Sequence, residues 1–196
     1  MMKEILLIIK EHMDDDKFLY NFLVELEKKN LLDKDIIELV TNIVITHNNA
    51  EYLWRIDNTF EEAPSEKIEQ AIIKTKNPKY IFFFATYNKP TSLINLTKGL
   101  IESGSGEYLN YMAMFTDNAP IELIKEGILT TNDAYNIYDF YTELCKGDYS
   151  FIERIIELKD VDILSKCLLL PIDINKKQTI LELLNKLYEE KQNKGK

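Results

Sequence analysis

The sequence predicts an all-α chain built as a right-handed α-solenoid, a superhelix of stacked antiparallel helix pairs. Three observations predict it. Aliphatic residues recur every 28 positions at Val40, Ile68, Leu96, Ile124, Ile152 and Ile180, and again one helical turn later at Val44, Ile72, Leu100, Ile128, Ile156 and Leu184. With 45% hydrophobic residues, twelve matches in twelve have a chance probability on the order of 10⁻⁴. A helix-capping residue also stands three positions before a tyrosine in Asn49-Ala-Glu-Tyr52, Asn77-Pro-Lys-Tyr80, Ser105-Gly-Glu-Tyr108 and Asn132-Asp-Ala-Tyr135. Turn chemistry then separates the units, at Asn88-Lys-Pro-Thr, Asp117-Asn-Ala-Pro and Lys146-Gly-Asp-Tyr-Ser.

The first half of each unit places apolar residues at i, i+4 and i+5 (Ile68, Ile72, Ile73; Leu96, Leu100, Ile101; Ile124, Ile128, Leu129), the stripe of a short amphipathic helix, helix A. Its small positions Ala71, Gly99 and Gly127 admit a close neighbour. The capping residue opens helix B, because an Asn or Ser oxygen accepts from an unpaired N–H of the first turn. Pro78 falls at the first helical position, where its missing N–H costs nothing. In the fifth unit Asp160 is expected to cap and Ile163 replaces the tyrosine, while Ser150 and Glu153 have capping-box spacing for the fifth helix A. A hairpin of two such helices cannot bury its stripe alone, and stacking against neighbours buries it.

The expected organisation is one solenoid domain over 1–196: a divergent N-terminal capping hairpin at 1–32, five helical-hairpin repeats at 33–175, and a C-terminal capping helix with a frayed tail at 176–196. Asp57 to Lys67 reads as a long loop between repeats. Ile5 to Ile9 is too short for a membrane span and no signal-peptide pattern is present, so the expectation is a cytoplasmic protein with no membrane partner. Cys145 and Cys167 share no metal or redox spacing and read as buried, reduced thiols.

No motif for catalysis, cofactor or metal emerges, and the chain is read as a non-enzyme. His12 before Asp14-Asp15-Asp16 reads as a capped helix start rather than a metal cluster, and His47 as a turn residue. Gly104-Ser105-Gly106 lacks the strand and the Gly-Lys-Ser/Thr of a phosphate loop. Outward positions of the A helices are charged or polar: Glu69, Gln70, Lys98, Lys125, Glu126, Glu153 and Arg154. Two and three positions after the tyrosine, the B helices instead carry Trp54 and Arg55, Phe82 and Phe83, Asn110 and Tyr111, Ile137 and Tyr138. These eight residues are the candidate partner-binding row, since Trp, Tyr and Arg are the types that anchor interfaces. The competing reading packs the same aromatics between adjacent B helices.

Lys76-Asn-Pro-Lys-Tyr-Ile-Phe-Phe-Phe-Ala85 and Gly104-Ser-Gly-Glu-Tyr-Leu-Asn-Tyr-Met-Ala113 make the chain similar to HEAT-like helical-repeat proteins, and to short tandem repeats of uncharacterised bacterial and phage proteins. The resemblance covers roughly residues 36 to 188. It implies macromolecular recognition and brings no catalytic residues with it. The expected function is therefore protein interaction along the helix-B face, with a homodimer as one form of it. A net charge of −9 argues against a nucleic-acid-binding HEAT-like role, because backbone binding needs a basic stripe. The same charge allows an acidic inhibitor that mimics nucleic acid and blocks a nucleic-acid enzyme.

Overall fold

The computed structural model describes residues 2–194. Among them are thirteen helices and no strand: α1 (Met2–Glu11), α2 (Asp16–Lys28), α3 (Lys34–Thr46), α4 (Ala50–Thr59), α5 (Ser65–Thr75), α6 (Pro78–Tyr87), α7 (Leu93–Ser103), α8 (Gly106–Phe115), α9 (Ile121–Thr130), α10 (Ala134–Leu144), α11 (Ser150–Leu158), α12 (Val161–Cys167) and α13 (Ile174–Lys194). No helix among the described residues is long and apolar enough to cross a membrane. The chain divides into two compact units. One takes the chain up to Ser103 with Tyr111–Pro120, the other Gly104–Asn110 with the chain from Ile121 onward.

In the first unit, from α2 to α7, each helix packs on its neighbour in sequence and on the next but one. Thus α4 lies against α5 and α6, α5 against α7, and α2 against both α3 and α4. The repeating aliphatics form the core: Val40, Val44, Ile68, Ile72, Leu96 and Leu100 are fully buried. Each such side chain is worth about 1.5–3 kcal/mol on leaving water. Gly99 lets α5 come close, since a Cβ there would stand 3.1 Å from Ile73 Cγ2, tighter than most such contacts. At the N-terminal end, Asp15 caps α2 by accepting from Phe18 N–H at 2.9 Å. His12 stacks on the Phe18 ring, centroids 3.7 Å apart.

In the second unit α10 contacts α9, α11 and α12, and α12 contacts α13. Ile124, Ile128, Ile152 and Ile180 are fully buried, and Leu184 is nearly so. Ile156 is the exception among the twelve repeat positions. It is half-buried, and Ile155 takes the core place instead. Phe140 and Phe151 stack at 5.5 Å between α10 and α11.

Several local expectations are corrected. The loop read at Asp57 to Lys67 is only Phe60 to Pro64, because α4 runs to Thr59 and α5 starts at Ser65. Ser150 and Glu153 form no capping box. Asp148 precedes them and takes both the Ser150 N–H at 3.1 Å and the Ser150 hydroxyl at 2.6 Å, leaving Glu153 to pair with Lys176. Glu69 does not face outward: it is 2% exposed because its Oε2 accepts from the Thr91 N–H at 2.6 Å. Arg154 turns onto its own unit, donating to Asn132 Oδ1 at 3.0 Å and to the Thr131 carbonyl at 3.3 Å. The tail read as frayed from Glu189 is helical to Lys194, and residues 195 and 196 lie outside the described residues.

Candidate functional site

The B helices start at the same place in each unit, but the cap bond expected of Asn77 does not form. Asn49 and Asp133 accept from N–H groups three residues on, at Tyr52 and Asn136. The residue before the cap is left-handed at Asn48, Lys76 and Gly104, with φ of 55°, 54° and 72°. Caps at 49, 77, 105 and 133 keep the 28-residue period, so the fourth cap is Asp133 and not Asn132.

That one-residue difference corrects the site. Counted from Asp133, Ile137 stands with Leu53, Ile81 and Leu109, all of them fully buried. Ile137 is therefore a core residue, and Tyr138 occupies the column of Trp54, Phe82 and Asn110. Tyr138 is half-buried, and burial raises its phenol above the ordinary range. Two further candidates also face inward. Phe82 is 6% and Asn110 3% exposed. Asn110 donates from Nδ2 to the Asn136 carbonyl at 3.0 Å, which accounts for an amide in a column that elsewhere holds rings. Gly106 permits this approach, because a Cβ there would stand 2.9 Å from Asn136 Cβ.

The remaining aromatics of the first unit form a connected row. Trp54 on α4 lies 5.5 Å from Phe83 and 6.2 Å from Tyr80 on α6, centroid to centroid. Phe83 touches Phe82 at 6.0 Å and Tyr87 at 5.7 Å. Phe82 reaches Tyr111 on α8 at 6.0 Å, and Tyr111 reaches Phe115 at 6.1 Å. Trp54, Phe83 and Tyr111 are half-buried. One cation sits over the row: the Lys79 ammonium lies 5.2 Å from the Tyr80 ring centroid and 5.6 Å from that of Phe83. Arg55, exposed and paired with Glu51 at 2.6 Å, lies instead over the Tyr52 ring, 5.3 Å from its centroid.

Two residues at the solvent end of this row are absent from the sequence-based candidates. Tyr87 and Phe115 are each 62% exposed. The signal for them was available: each stands four residues after Phe83 or Tyr111, hence on the same helix face. The tyrosine column is tied in locally, with Tyr52 6.0 Å from Tyr20. Tyr20 in turn shares a 3.0 Å hydroxyl bond with Thr59.

His47 caps the C-terminus of α3, and its Nδ1 meets Asp16 Oδ1 at 2.6 Å. Asn49 Nδ2 donates to the other oxygen of Asp16 at 2.7 Å. The pair thus fastens the start of α2 to the α3–α4 turn. Cys167 is fully buried, which pushes its thiol up to about 11. Among the described residues no three His, Cys, Asp or Glu side chains converge as metal ligands. What the row offers a ligand is ring area, with the Lys79 ammonium over part of it. Compared with protein-family models, curated proteins and solved structures, the chain matches none.

Proposed function

We propose that the chain is an α-solenoid of stacked helix pairs that binds another protein along its B helices, with the aromatic row of the first unit as the contact. The observation that carries this reading is the exposure of Tyr87 and Phe115, each 62%, at the end of a continuous series of touching rings. Large aromatic side chains held at fixed positions bring much contact area at little entropic cost, which is how binding anchors work. The alternation of helix contacts within each unit supports the stacked arrangement. Burial of Phe82 supports a rigid row, because Phe83 and Tyr111, which the exposed rings touch, both contact this core ring.

The test is capture from a lysate of the native host by the immobilised chain, beside a Tyr87→Ser/Phe115→Ser variant. Both substitutions fall on exposed side chains, so the variant keeps its helical circular dichroism. A protein retained by the wild type and lost by the variant, after nuclease treatment, supports the reading. Identical sets of retained proteins would refute it. Retention that disappears with nuclease would move the assignment to nucleic acid.

A further inference from the structure

Beside Tyr87, and within the first unit, lies a cavity of about 250 Å³ lined by Asp57, Phe60, Glu61, Tyr87, Asn88 and Lys89 among others. Its lining also carries donors, in Asn58, Ser65 and Lys89, yet two of its acceptors meet none of them. Asp57 and Asn88 are joined by a hydrogen bond from Asn88 Nδ2 to Asp57 Oδ2. Their other oxygens, Asp57 Oδ1 and Asn88 Oδ1, are shut off from solvent and accept from no donor. Two buried acceptors without a donor are costly, and a carboxylate oxygen is the costlier of the two.

The backbone adds charge of the same sign. Asp57 lies in the last turn of α4 and Asn88 is the C-cap of α6, so the negative ends of two helices meet the carboxylate. Neither helix carries a basic residue in its last turn. Lys89 is exposed at the rim and pairs with neither Asp57 nor Glu61. The Tyr87 ring forms one wall and is itself largely in solvent.

We infer that this cavity is a cation pocket that takes an arginine side chain of the partner. The inference rests on the aromatic row being the contact surface. A guanidinium is flat, always charged and carries five N–H donors, so it can give one hydrogen to Asp57 Oδ1, one to Asn88 Oδ1 and reach Glu61 while stacking on Tyr87. Exposed side chains change rotamer within nanoseconds, so Tyr87 and Lys89 open the mouth at little cost. The pocket would fix the register of the partner on the row, because Tyr87 belongs to both.

The experiment uses acetyl-arginine amide as the probe, titrated into the full chain. The side-chain amide of Asn88 and the backbone amides of Tyr87 and Lys89 are followed by heteronuclear NMR. The expected result is a saturable shift of these signals. It should weaken by at least about tenfold in Asp57→Asn and be absent with acetyl-citrulline amide, which keeps the shape without the charge. Should Asp57→Asn lose its signal dispersion, Glu61→Gln on an exposed residue carries the same comparison. No saturable shift, equal shifts with citrulline, or unchanged affinity in the folded variants would overturn the pocket. Equal affinity for acetyl-lysine amide would overturn its assignment to arginine. If captured protein is lost in the Tyr87→Ser/Phe115→Ser variant but arginine amide never binds, the pocket fails and the aromatic row stands. If arginine amide binds but no protein is captured, the reverse holds.

Discussion

Replacing Glu69 by alanine tests how the chain spends a buried charge. Its carboxylate is 2% exposed on α5 and holds the Thr91 N–H at 2.6 Å, twenty-two residues away in sequence. A hydrogen bond to a charged group contributes about 1.5–3 kcal/mol net, and truncation leaves its partner unpaired. Thr91 is itself exposed, so its N–H can turn to water, which removes part of that penalty. Alanine also leaves a void behind the missing carboxylate. The expected loss is about 2–3 kcal/mol for Glu69→Ala. For Glu69→Gln, whose carbonyl can still accept, it is about 1 kcal/mol. Urea unfolding followed through Trp54 is the assay, since it is the single tryptophan of the chain and lies in the same unit as Glu69. The slope against urea should not change. Exposed Glu102→Ala serves as the control, expected within about 0.5 kcal/mol of wild type. A Glu69→Ala chain as stable as this control, or more stable than wild type, would show that desolvation outweighs the bond and refute the reasoning.

Lys76 and Lys159 hold left-handed backbone, with φ of 54° and 57°. Lys76→Gly should therefore stabilise by about 0.5–1 kcal/mol in thermal melts, and a loss would contradict the cost assigned to that conformation. Ile137→Ala should cost about 2–4 kcal/mol and Tyr138→Ser clearly less, by chemical denaturation; the reverse order would return the cap to Asn132. Lys125 and Ser150 hold the Asp148 carboxyl down at about 2. A lowered native value contributes stability above the unfolded value of about 3.9, lost as pH falls through that of the native state. Between about pH 4 and pH 2, Asp148→Asn should accordingly flatten the fall of stability, and an unchanged acid limb would count against the pair. Cys167, buried and pushed up to about 11, should resist a thiol reagent at pH 8 until the chain unfolds. The half-buried Cys145 should react first.

The core was legible in the sequence because an aliphatic lost from a buried seam costs more than almost any surface change, so the period of Val40, Ile68 and Leu96 stays visible. The fourth helix B was misread because Asn132 and Asp133 are both capping residues, and composition does not choose between neighbours. The period itself does: Ile137 lies 28 residues after Leu109, which places it in the seam. For Phe82 the offset left two readings, outward or packed between adjacent B helices, and the second holds, since a ring one position from Ile81 can tilt inward. Glu69 was illegible for another reason. Its partner is a backbone N–H far along the chain, and a backbone donor leaves no mark in sequence. The cavity at Asp57 was hidden likewise, since it depends on two helix ends meeting rather than on any spacing.

The left-handed residues at 48, 76 and 104, each directly before a cap, have a genetic consequence. Removal of residues 49–76 would join Asn48 to Asn77, a junction with the same left-handed backbone before an asparagine at the cap position. Every other core aliphatic would keep its phase. Deletion or duplication in blocks of 28 codons thus passes through no strained intermediate sequence, whereas a cut of any other length must rebuild a turn.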